Sequence, residues 1–265
     1  MILVTGADGF IGSHLADALQ EDGELIAMCD VKPGYADFDY WKEREADNIE
    51  AVFHLGAISD TTCEDVVALI ETNILLPWRL SDFCASKGIP FIYASSAAVY
   101  GNGGKPLNRY AHSKWEFDGV MMRGTREPPH WYGLRFFNVY GPGEAHKGKQ
   151  ASMVHQFMHG RDTVFAPDAT RDFVHVDDVV SVMIWMWRNL PASGIYDVGS
   201  GVPRSFDDLI DILNIDPSPR IIPMPDSLKG KYQFHTQADL TRLRAAGYDK
   251  PFLSLEEGIA RMLSV

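Results

Sequence analysis

The chain has 265 residues, 46% of them hydrophobic, enough to bury the core of one large α/β domain with or without a smaller appendage. Its net charge of −12 argues against a nucleic-acid partner, which would need a basic face. Three cysteines without a Cys-x-x-Cys pair suit a reducing compartment, and no metal-ligand spacing is present. The most apolar stretch, 179–187, is too short to span a bilayer, and Met1 directly precedes the first predicted strand. We therefore expect a cytoplasmic protein with no metal and no membrane contact.

Short strands and helices alternate along the first two thirds of the chain. We predict strands at 2–5, 25–30, 51–55, 91–94, 132–137, 195–198 and 221–224, and helices at 10–19, 66–70, 78–87, 111–123, 177–188, 206–213 and 255–263. This alternation predicts an α/β fold with a Rossmann-like, doubly wound parallel sheet. Residues 1–142 would form a dinucleotide-binding domain, to which 172–200 returns. Residues 143–265, richer in proline and charge, would mainly form a small C-terminal α/β cap that binds substrate.

Three glycines follow the first predicted strand with the spacing Gly-x-x-Gly-x-x-Gly. Gly6 permits a tight turn, Gly9 lets the backbone approach phosphate oxygens, and Gly12 lets the next helix pack closely. The start of that helix offers free N–H groups and a positive dipole end to a diphosphate. The alternative is a glycine loop that only caps the helix. Asp30 ends the second predicted strand, where such a fold places a ribose ligand, and its charge favours NAD over NADP.

Tyr110 and Lys114 are four residues apart, so on a helix their side chains share one face. A free tyrosine, with a pKa of about 10, is a poor base at neutral pH. A nearby ammonium together with an oxidised nicotinamide would lower that pKa, and the phenolate would take a proton from a substrate hydroxyl. Ser96 ends the preceding strand, where its hydroxyl can donate to the reacting oxygen. The alternatives are a surface Tyr–Lys pair without function and a serine that only serves a turn.

Together these features resemble the extended branch of the short-chain dehydrogenase/reductases, the NAD-dependent epimerase/dehydratase family. The resemblance extends over most of the chain and is carried, in order, by residues 5–12, 30, 54–57, 73, 93–101, 110–114, 134–142 and 171–178. Within the family, segments 146–148, 151–153, 228–233 and 236–252 look like those of the ADP-L-glycero-D-manno-heptose 6-epimerases. This similarity implies a nucleotide-diphosphate-sugar substrate, surface-polysaccharide precursor synthesis, and a cofactor reduced and reoxidised within one turnover.

The resemblance also implies which residues act. Tyr110 and Lys147 would be the two acid/base groups on opposite sides of the sugar, assisted by Lys114 and Ser96. The cofactor, NAD or NADP, would be bound by Gly6, Gly9, Phe10, Ile11, Gly12, Asp30, Val31, Leu55, Gly56, Ala57, Ser59 and Asn73, with Tyr110 and Lys114. The substrate would be bound by Asn138, Val139, Lys149, Gln156, Arg171 and Tyr232.

Three of these assignments have plain structural alternatives. Lys147 could be a solvated or phosphate-binding lysine. Arg171, whose fork suits diphosphate oxygens, could instead form an ion pair with Asp172 or Asp177. Tyr232 could pack within the cap without touching a nucleotide.

Two regions are shorter than in the family: the one between Asp30 and Asn48, and the loop between Gly101 and Tyr110. The first leaves the choice of cofactor open, since Asp30 favours NAD whereas the heptose epimerases use NADP. The second leaves the sugar open, so another reductase or 4-epimerase of nucleotide sugars, or a non-catalytic dinucleotide-binding protein, remains an alternative. Ala97-Ala98 stand where a 4,6-dehydratase would carry an Asp-Glu pair, which disfavours dehydration. We also expect a homo-oligomer.

Overall fold

A computed structural model describes residues 1–29, 36–124 and 126–264, so that Asp30 and Val31 lie outside the described residues. The strands are Ile2–Thr5 (β1), Ile26–Cys29 (β2), Ala51–His54 (β3), Phe91–Ser96 (β4), Trp131–Phe136 (β5), Asn138–Tyr140 (β6), Thr163–Val164 (β7), Thr170–His175 (β8), Gly194–Val198 (β9), Pro203–Ser205 (β10) and Arg220–Ile221 (β11). The helices are Phe10–Glu21 (α1), Ala36–Arg44 (α2), Val66–Ile70 (α3), Leu76–Lys87 (α4), Arg109–Arg123 (α5), Met153–Met158 (α6), Val176–Asn189 (α7), Phe206–Ile212 (α8), Thr241–Ala245 (α9) and Leu255–Leu263 (α10).

The main sheet has the strand order β2-β1-β3-β4-β5-β9, and every pairing in it is parallel. All residues of β1 and β3 are buried, as expected for strands covered on both faces. The chain leaves β1 toward β2 on one side and returns to β3 on the other, which makes this the switch point of the sheet. Ligands bind at such a point, beyond the carboxyl ends of the strands. The predicted Rossmann-like parallel sheet is therefore confirmed.

Helices cover both faces of this sheet and bury separate apolar layers. Leu15 and Leu19 of α1 pack with Val182 and Met183 of α7 in one cluster. The apolar side chains of α4 and α5 belong to the other cluster, which includes Leu80 and Phe117. The functional elements at the end of the sheet are thus fixed by packing from two sides.

Several predicted elements differ in their limits. Helices 66–70 and 78–87 are joined by a π-helical turn, Glu71–Leu75, and α4 begins before Pro77. Pro77 is the second residue of α4 and follows the π-helical turn directly, and it has no N–H to donate back to that turn. A nine-residue helix, α2, fits into the shortened region after β2, and the described residues between β2 and β3 form no strand.

A second sheet of order β10-β8-β6 was not predicted. Its strands are short, and β8 carries the charged pair Arg171-Asp172, which makes the sequence read as a loop. Ser205 caps α8 as predicted and forms a capping box with Asp208. Although β9 lies well beyond residue 142, it pairs with β5 in the main sheet. The division of the chain into two domains stays a prediction.

None of the helices in the described ranges combines the length and the apolarity needed to cross a bilayer.

Candidate active site

The turn between β1 and α1 is packed backbone against backbone. Gly6 has a φ of +70°, and a Cβ there would lie 2.5 Å from the backbone nitrogen of Gly56. A Cβ on Gly12 would lie 1.9 Å from the carbonyl oxygen of Gly6, so this glycine serves helix-to-turn packing. Gly9 begins α1 without a side-chain cap, which leaves the first-turn amides, including those of Phe10 and Ile11, available to an anion. This cradle fits the diphosphate of a nicotinamide dinucleotide.

The segment after β3 borders the same turn. The amide of Leu55 donates to the Thr5 carbonyl (3.1 Å), and the amide of Gly56 donates to Thr5 Oγ1 (3.3 Å). Further along, Ala57 leads to Ile58, with Ser59 in the wall of a cleft described below. Five of the predicted cofactor residues from two strands therefore meet around one turn: Gly6, Gly9, Gly12, Leu55 and Gly56.

Asn73 holds this segment from behind. Its Oδ1 accepts from the Ile58 amide (2.9 Å), and its Nδ2 donates to the Ile58 carbonyl (2.9 Å) and to Ser113 Oγ (2.9 Å). Ser113 in turn donates to the Tyr110 carbonyl (2.7 Å). Because both amide protons of Asn73 are used, it positions the cofactor segment against the catalytic helix rather than presenting a donor to the cofactor.

Tyr110, Lys114 and Ser96 come together where β4 ends. Asn108 caps α5 by accepting from the Ala111 amide (2.8 Å), which places Tyr110 in the first helical turn. The Ser96 side chain lies near enough to the Tyr110 hydroxyl to act on its pKa. Lys114 Nζ donates to the Ala94 carbonyl (2.9 Å), two residues before Ser96. This arrangement can hold a substrate hydroxyl between a phenol and a serine, with a lysine behind them.

Burial shifts the pKa values of both helix residues. Burial raises the pKa of Tyr110, and the Ser96 side chain lowers this pKa by a smaller amount. Because burial is the largest effect on this pKa, the predicted decrease also needs positive charge that a ligand brings. Burial lowers the pKa of Lys114 to about 8, while Asp118 opposes that shift.

Asp118 lies one helical turn beyond Lys114 and was not predicted. Its carboxylate accepts from the Tyr93 hydroxyl (3.0 Å), the Ser95 hydroxyl (3.0 Å) and Arg135 Nε (2.9 Å). Burial raises the pKa of Asp118, and Arg135 partly offsets this effect. The signal in the sequence was its position: residues 110, 114 and 118 follow a helical spacing of four, which places all three on the buried face of α5.

Lys147 belongs to the 3₁₀ segment Glu144–Gln150 and lines the same cleft as the predicted substrate residues. Its Nζ lies 2.9 Å from Glu144 Oε2 and 4.6 Å from the centroid of the Phe10 ring. The structure therefore gives it a carboxylate partner and a contact with the dinucleotide turn. Glu144 was not singled out from the sequence.

One cleft of about 810 Å³ connects the predicted catalytic residues with the predicted substrate residues. Its lining includes Ser59, Ser96, Tyr110, Asn138, Val139, Lys147, Lys149, Gln156, Arg171 and Tyr232. All six predicted substrate residues are thus brought to the same cavity as Tyr110, Ser96 and Lys147. A volume of this size is in the range of small-molecule sites.

Arg171 is 7% exposed and contacts the cleft without a carboxylate partner among the described residues. Its guanidinium donates to the Thr170 carbonyl (2.9 Å) and to the Gln233 carbonyl, and it lies 4.8 Å from the Tyr232 ring centroid. Burial lowers its pKa. The alternative ion pairs do not form, because Asp172 accepts backbone amides (Ser200 at 2.7 Å) and Asp177 pairs with Arg261 (3.2 Å). A buried cation facing a cleft in this way suits an anionic ligand.

The other substrate candidates differ in how firmly they are held. Tyr232 packs edge-on against Phe165 and Phe234, both at 5.3 Å between ring centroids. Gln156 donates to the Ala151 carbonyl (2.7 Å), whereas Lys149 is exposed. Packing within the cap therefore holds Tyr232, and its ring still lines the cleft.

His54 is a further buried group near Lys114. Its Nδ1 is 2.7 Å from Thr5 Oγ1, and its Nε2 has no hydrogen-bond partner. Burial, and to a lesser extent Lys114, lowers the pKa of His54 to about 3, which makes it a neutral ring at physiological pH.

Residues 2–199 match the NAD dependent epimerase/dehydratase family. The chain belongs to this family. An ADP-L-glycero-D-manno-heptose-6-epimerase of Fusobacterium nucleatum subsp. nucleatum is 38% identical over an alignment of 317 positions, gaps included, which covers 98% of this chain and 96% of that protein. The predicted family, with its nicotinamide dinucleotide, NAD or NADP, is confirmed.

Solved structures of epimerases superpose on nearly the whole of this epimerase/dehydratase family member. The ADP-L-glycero-D-manno-heptose-6-epimerase of Helicobacter pylori has a TM-score of 0.80 and 28% identity, with 99% of this chain and 94% of that chain covered. The UDP-glucose 4-epimerase of Thermus thermophilus, solved with NAD, has a TM-score of 0.81 at 24% identity and covers 99% and 97%. The second likeness supports the fold alone.

Proposed function

We propose that this chain is a nucleotide-diphosphate-sugar epimerase, with an ADP-linked heptose as its substrate and inversion at carbon six as its reaction. The observation that carries the proposal is the single cleft that joins Tyr110 and Ser96 to Lys147 and Arg171. A site that only oxidises or reduces a sugar would need only Tyr110 and Ser96. An epimerase needs a second acid/base group, and a diphosphate needs a cation such as Arg171.

In the proposed reaction, Tyr110 takes the proton of the sugar hydroxyl, and Ser96 donates a hydrogen bond to the same oxygen. A bound nicotinamide dinucleotide supplies a hydride acceptor that returns the hydride within the same turnover. Lys114 adds positive charge behind the phenol, which favours its deprotonated form. Lys147 then gives its proton to the sugar oxygen once the hydride has reached the other face, which restores the hydroxyl with inverted configuration.

Arg171 and Tyr232 would hold the nucleotide half of the substrate. The guanidinium already has two backbone acceptors on one side and an aromatic ring beneath it, so its remaining donors can meet diphosphate oxygens. Residues 143–265, apart from the segments that return to the main sheet, would act as the substrate cap. This assignment is supported by the presence of Lys147, Lys149 and Gln156 in the cleft wall.

We propose NAD as the bound cofactor, because the carboxylate of Asp30 at a ribose position would repel a 2′-phosphate. Mass spectrometry of the dinucleotide released by denaturation tests this choice. We also propose a reducing, cytoplasmic location, which the free thiols of Cys63 and Cys84 support.

A homo-oligomer is supported by large apolar side chains exposed on neighbouring helices: Val67 on α3, Trp78 on α4, and Trp115 and Met122 on α5. A second copy of the chain that packs its own α3–α5 face here would remove these groups from water. Trp115→Lys should lower the mass measured by light scattering to that of the monomer. Leu263→Lys, which changes a more exposed apolar residue on α10, should leave the mass unchanged.

The reaction is tested by incubating the protein with ADP-D-glycero-D-manno-heptose and with ADP-, GDP- and UDP-hexoses, followed by proton NMR. Inversion at carbon six of the heptose is the expected result. If only carbon four of a hexose were inverted, the proposed substrate would be wrong and the proposed mechanism would stand. No inversion of any of these sugars would overturn the proposed function.

A further inference from the structure

Glu144 is a buried carboxylate at the edge of the cleft, with 0% of its surface exposed. Its Oε1 accepts from the Gly141 amide (3.3 Å) and the Ser152 hydroxyl (2.7 Å), and its Oε2 accepts from the Ser152 amide (2.7 Å) and Lys147 Nζ (2.9 Å). Both oxygens are therefore occupied, and two backbone amides fix them in place. Lys147 is its only ion-pair partner in the part of the chain that the structure describes.

Lys147 bridges this carboxylate and the dinucleotide turn. Its side chain is 24% exposed, and its ammonium lies over the ring of Phe10, the first residue of α1. A cation over an aromatic face gains a further attraction, which is larger where water is scarce. The side chain therefore has two anchors, one on the loop that bears it and one on the cofactor turn.

We propose that Glu144 is a positioning residue, which holds the Lys147 ammonium between the dinucleotide turn and the cleft so that Lys147 enters the reaction as a proton donor. The inference rests on the proposed function of Lys147 as the second acid/base group. The carboxylate is fixed by its backbone donors, so the lysine adjusts to the carboxylate and not the reverse. Without a partner, either charge would be left poorly solvated at this depth.

This arrangement fixes the direction of proton transfer for the second half of a turnover, in which the hydride returns to the sugar. An N–H bond of Lys147 breaks, an O–H bond forms on the sugar oxygen, and the lysine is left as a neutral amine beside Glu144. The proton taken earlier by Tyr110 passes to solvent, and Lys147 regains one from solvent, so no proton is created or lost. Glu144 itself keeps its charge and transfers nothing.

The test begins with a measurement that needs no turnover. Glu144→Gln should raise the rate at which an amine-acylating reagent modifies Lys147, read by peptide mass spectrometry, by about tenfold, because a hydrogen bond to a charged group is lost. The matched control is Asp226→Asn, which removes an exposed carboxylate at the same three-residue spacing from Lys229 (2.6 Å). Modification of Lys229 should stay within a factor of about two in that variant. An unchanged rate at Lys147 in Glu144→Gln would overturn the proposal.

Steady-state kinetics provide the second arm. Glu144→Gln should lower kcat by about 10²-fold and leave KM for the sugar nucleotide nearly unchanged, since misplacement of a proton donor affects the chemical step. In a Lys147→Met background the same substitution should have no further effect on kcat. A further drop there would mean that Glu144 acts independently of Lys147.

Folding is followed by thermal unfolding and by binding of the reduced dinucleotide. If Glu144→Gln does not fold, Glu144→Asp decides, because its carboxylate keeps the charge and is drawn back by one methylene. Intermediate acylation of Lys147 supports the proposal, and wild-type acylation together with wild-type kcat overturns it. If the native protein inverts no sugar, the proposed function fails, whereas the acylation result still reports whether Glu144 holds Lys147.

Discussion

Two lysines approach the cleft from different regions, and they are held in different ways. Lys114 lies on the long helix α5, is almost fully buried, and donates to a main-chain carbonyl, Ala94. Lys147 lies in a short 3₁₀ segment and is paired with a buried carboxylate, Glu144. A regular helix packed on a sheet fixes a side chain through its own spacing. A side chain on a loop needs a partner that holds it in place, and here that partner is the negatively charged carboxylate of Glu144.

The largest effect is expected on the helix side of this comparison. Tyr110→Phe should lower kcat by about 10³-fold, because general acid–base groups contribute on this scale. Binding of the dinucleotide, measured by fluorescence, should persist, since the glycine turn and Asn73 are untouched.

The control for this prediction is Tyr132→Phe. It also removes one hydroxyl from a buried tyrosine, but that hydroxyl donates to the Pro191 carbonyl (2.9 Å) away from the cleft. Its kcat should stay within a factor of about two of the native value. If Tyr110→Phe kept full activity, another group would have to be the first base. The contrast between the α5 side and the Glu144–Gln150 side of the cleft would then be lost.

The parts of the site that the sequence predicts are those whose geometry is set by local spacing. Tyr110 and Lys114 share a face because a helix repeats every 3.6 residues, and Gly6 and Gly12 meet because a turn joins a strand to a helix. Glu144, Arg135 and His54 could not be identified in this way. The partners of Arg135 and His54 are Asp118 and Thr5, which lie 17 and 49 residues away along the chain and are brought near only by folding. The partners of Glu144 are close along the chain, but its burial leaves no signal in the sequence.

The same limit applies to the fold. The main sheet follows from alternating apolar runs, including the late strand β9. The small sheet formed by β6, β8 and β10 was missed because β8 places Arg171 and Asp172 in a buried strand. Backbone groups form hydrogen bonds with both side chains, and Arg171 also borders the cleft. A hydrophobic pattern reveals neither arrangement.

A smaller effect is expected at Asp118, whose carboxylate pairs with Arg135 and acts on Lys114 through its charge. Asp118→Asn should lower the free energy of unfolding by about 3 kcal/mol, because Arg135 loses its buried carboxylate partner. It should also lower the pKa of Lys114 further, since Asp118 now raises it against the larger effect of burial. Urea denaturation measures the first effect, and NMR of isotope-labelled lysine measures the second.

Asp82→Asn, which breaks an exposed pair with Arg126 (2.9 Å), is the matched control and should change stability by less than about 1 kcal/mol. If Asp118→Asn and Asp82→Asn had equal effects on stability, the buried carboxylate of Asp118 would not be what holds α5 in place. The contrast between the two lysines would then reduce to burial alone.

The last effect, which is small per pH unit, concerns His54 and reports how far water is excluded beside Lys114. Burial lowers the pKa of His54 to about 3 from its ordinary 6.5. Between these values the unfolded chain binds one proton more than the folded protein, so stability falls as the pH drops, by about 1.4 kcal/mol per unit. His54→Asn keeps a polar partner for Thr5 Oγ1 and cannot titrate. Its loss of stability on acidification should therefore be shallower by about that slope, measured by urea denaturation.

His112→Asn, a change at an exposed histidine of α5, should leave the slope as in the native protein. An unaltered slope in His54→Asn would show that the folded protein protonates His54 as readily as the unfolded chain does. Water would then reach the base of Lys114, and the low pKa of that lysine could not be attributed to burial. Lys114 would then no longer differ from Lys147 in its burial, because water would reach both side chains.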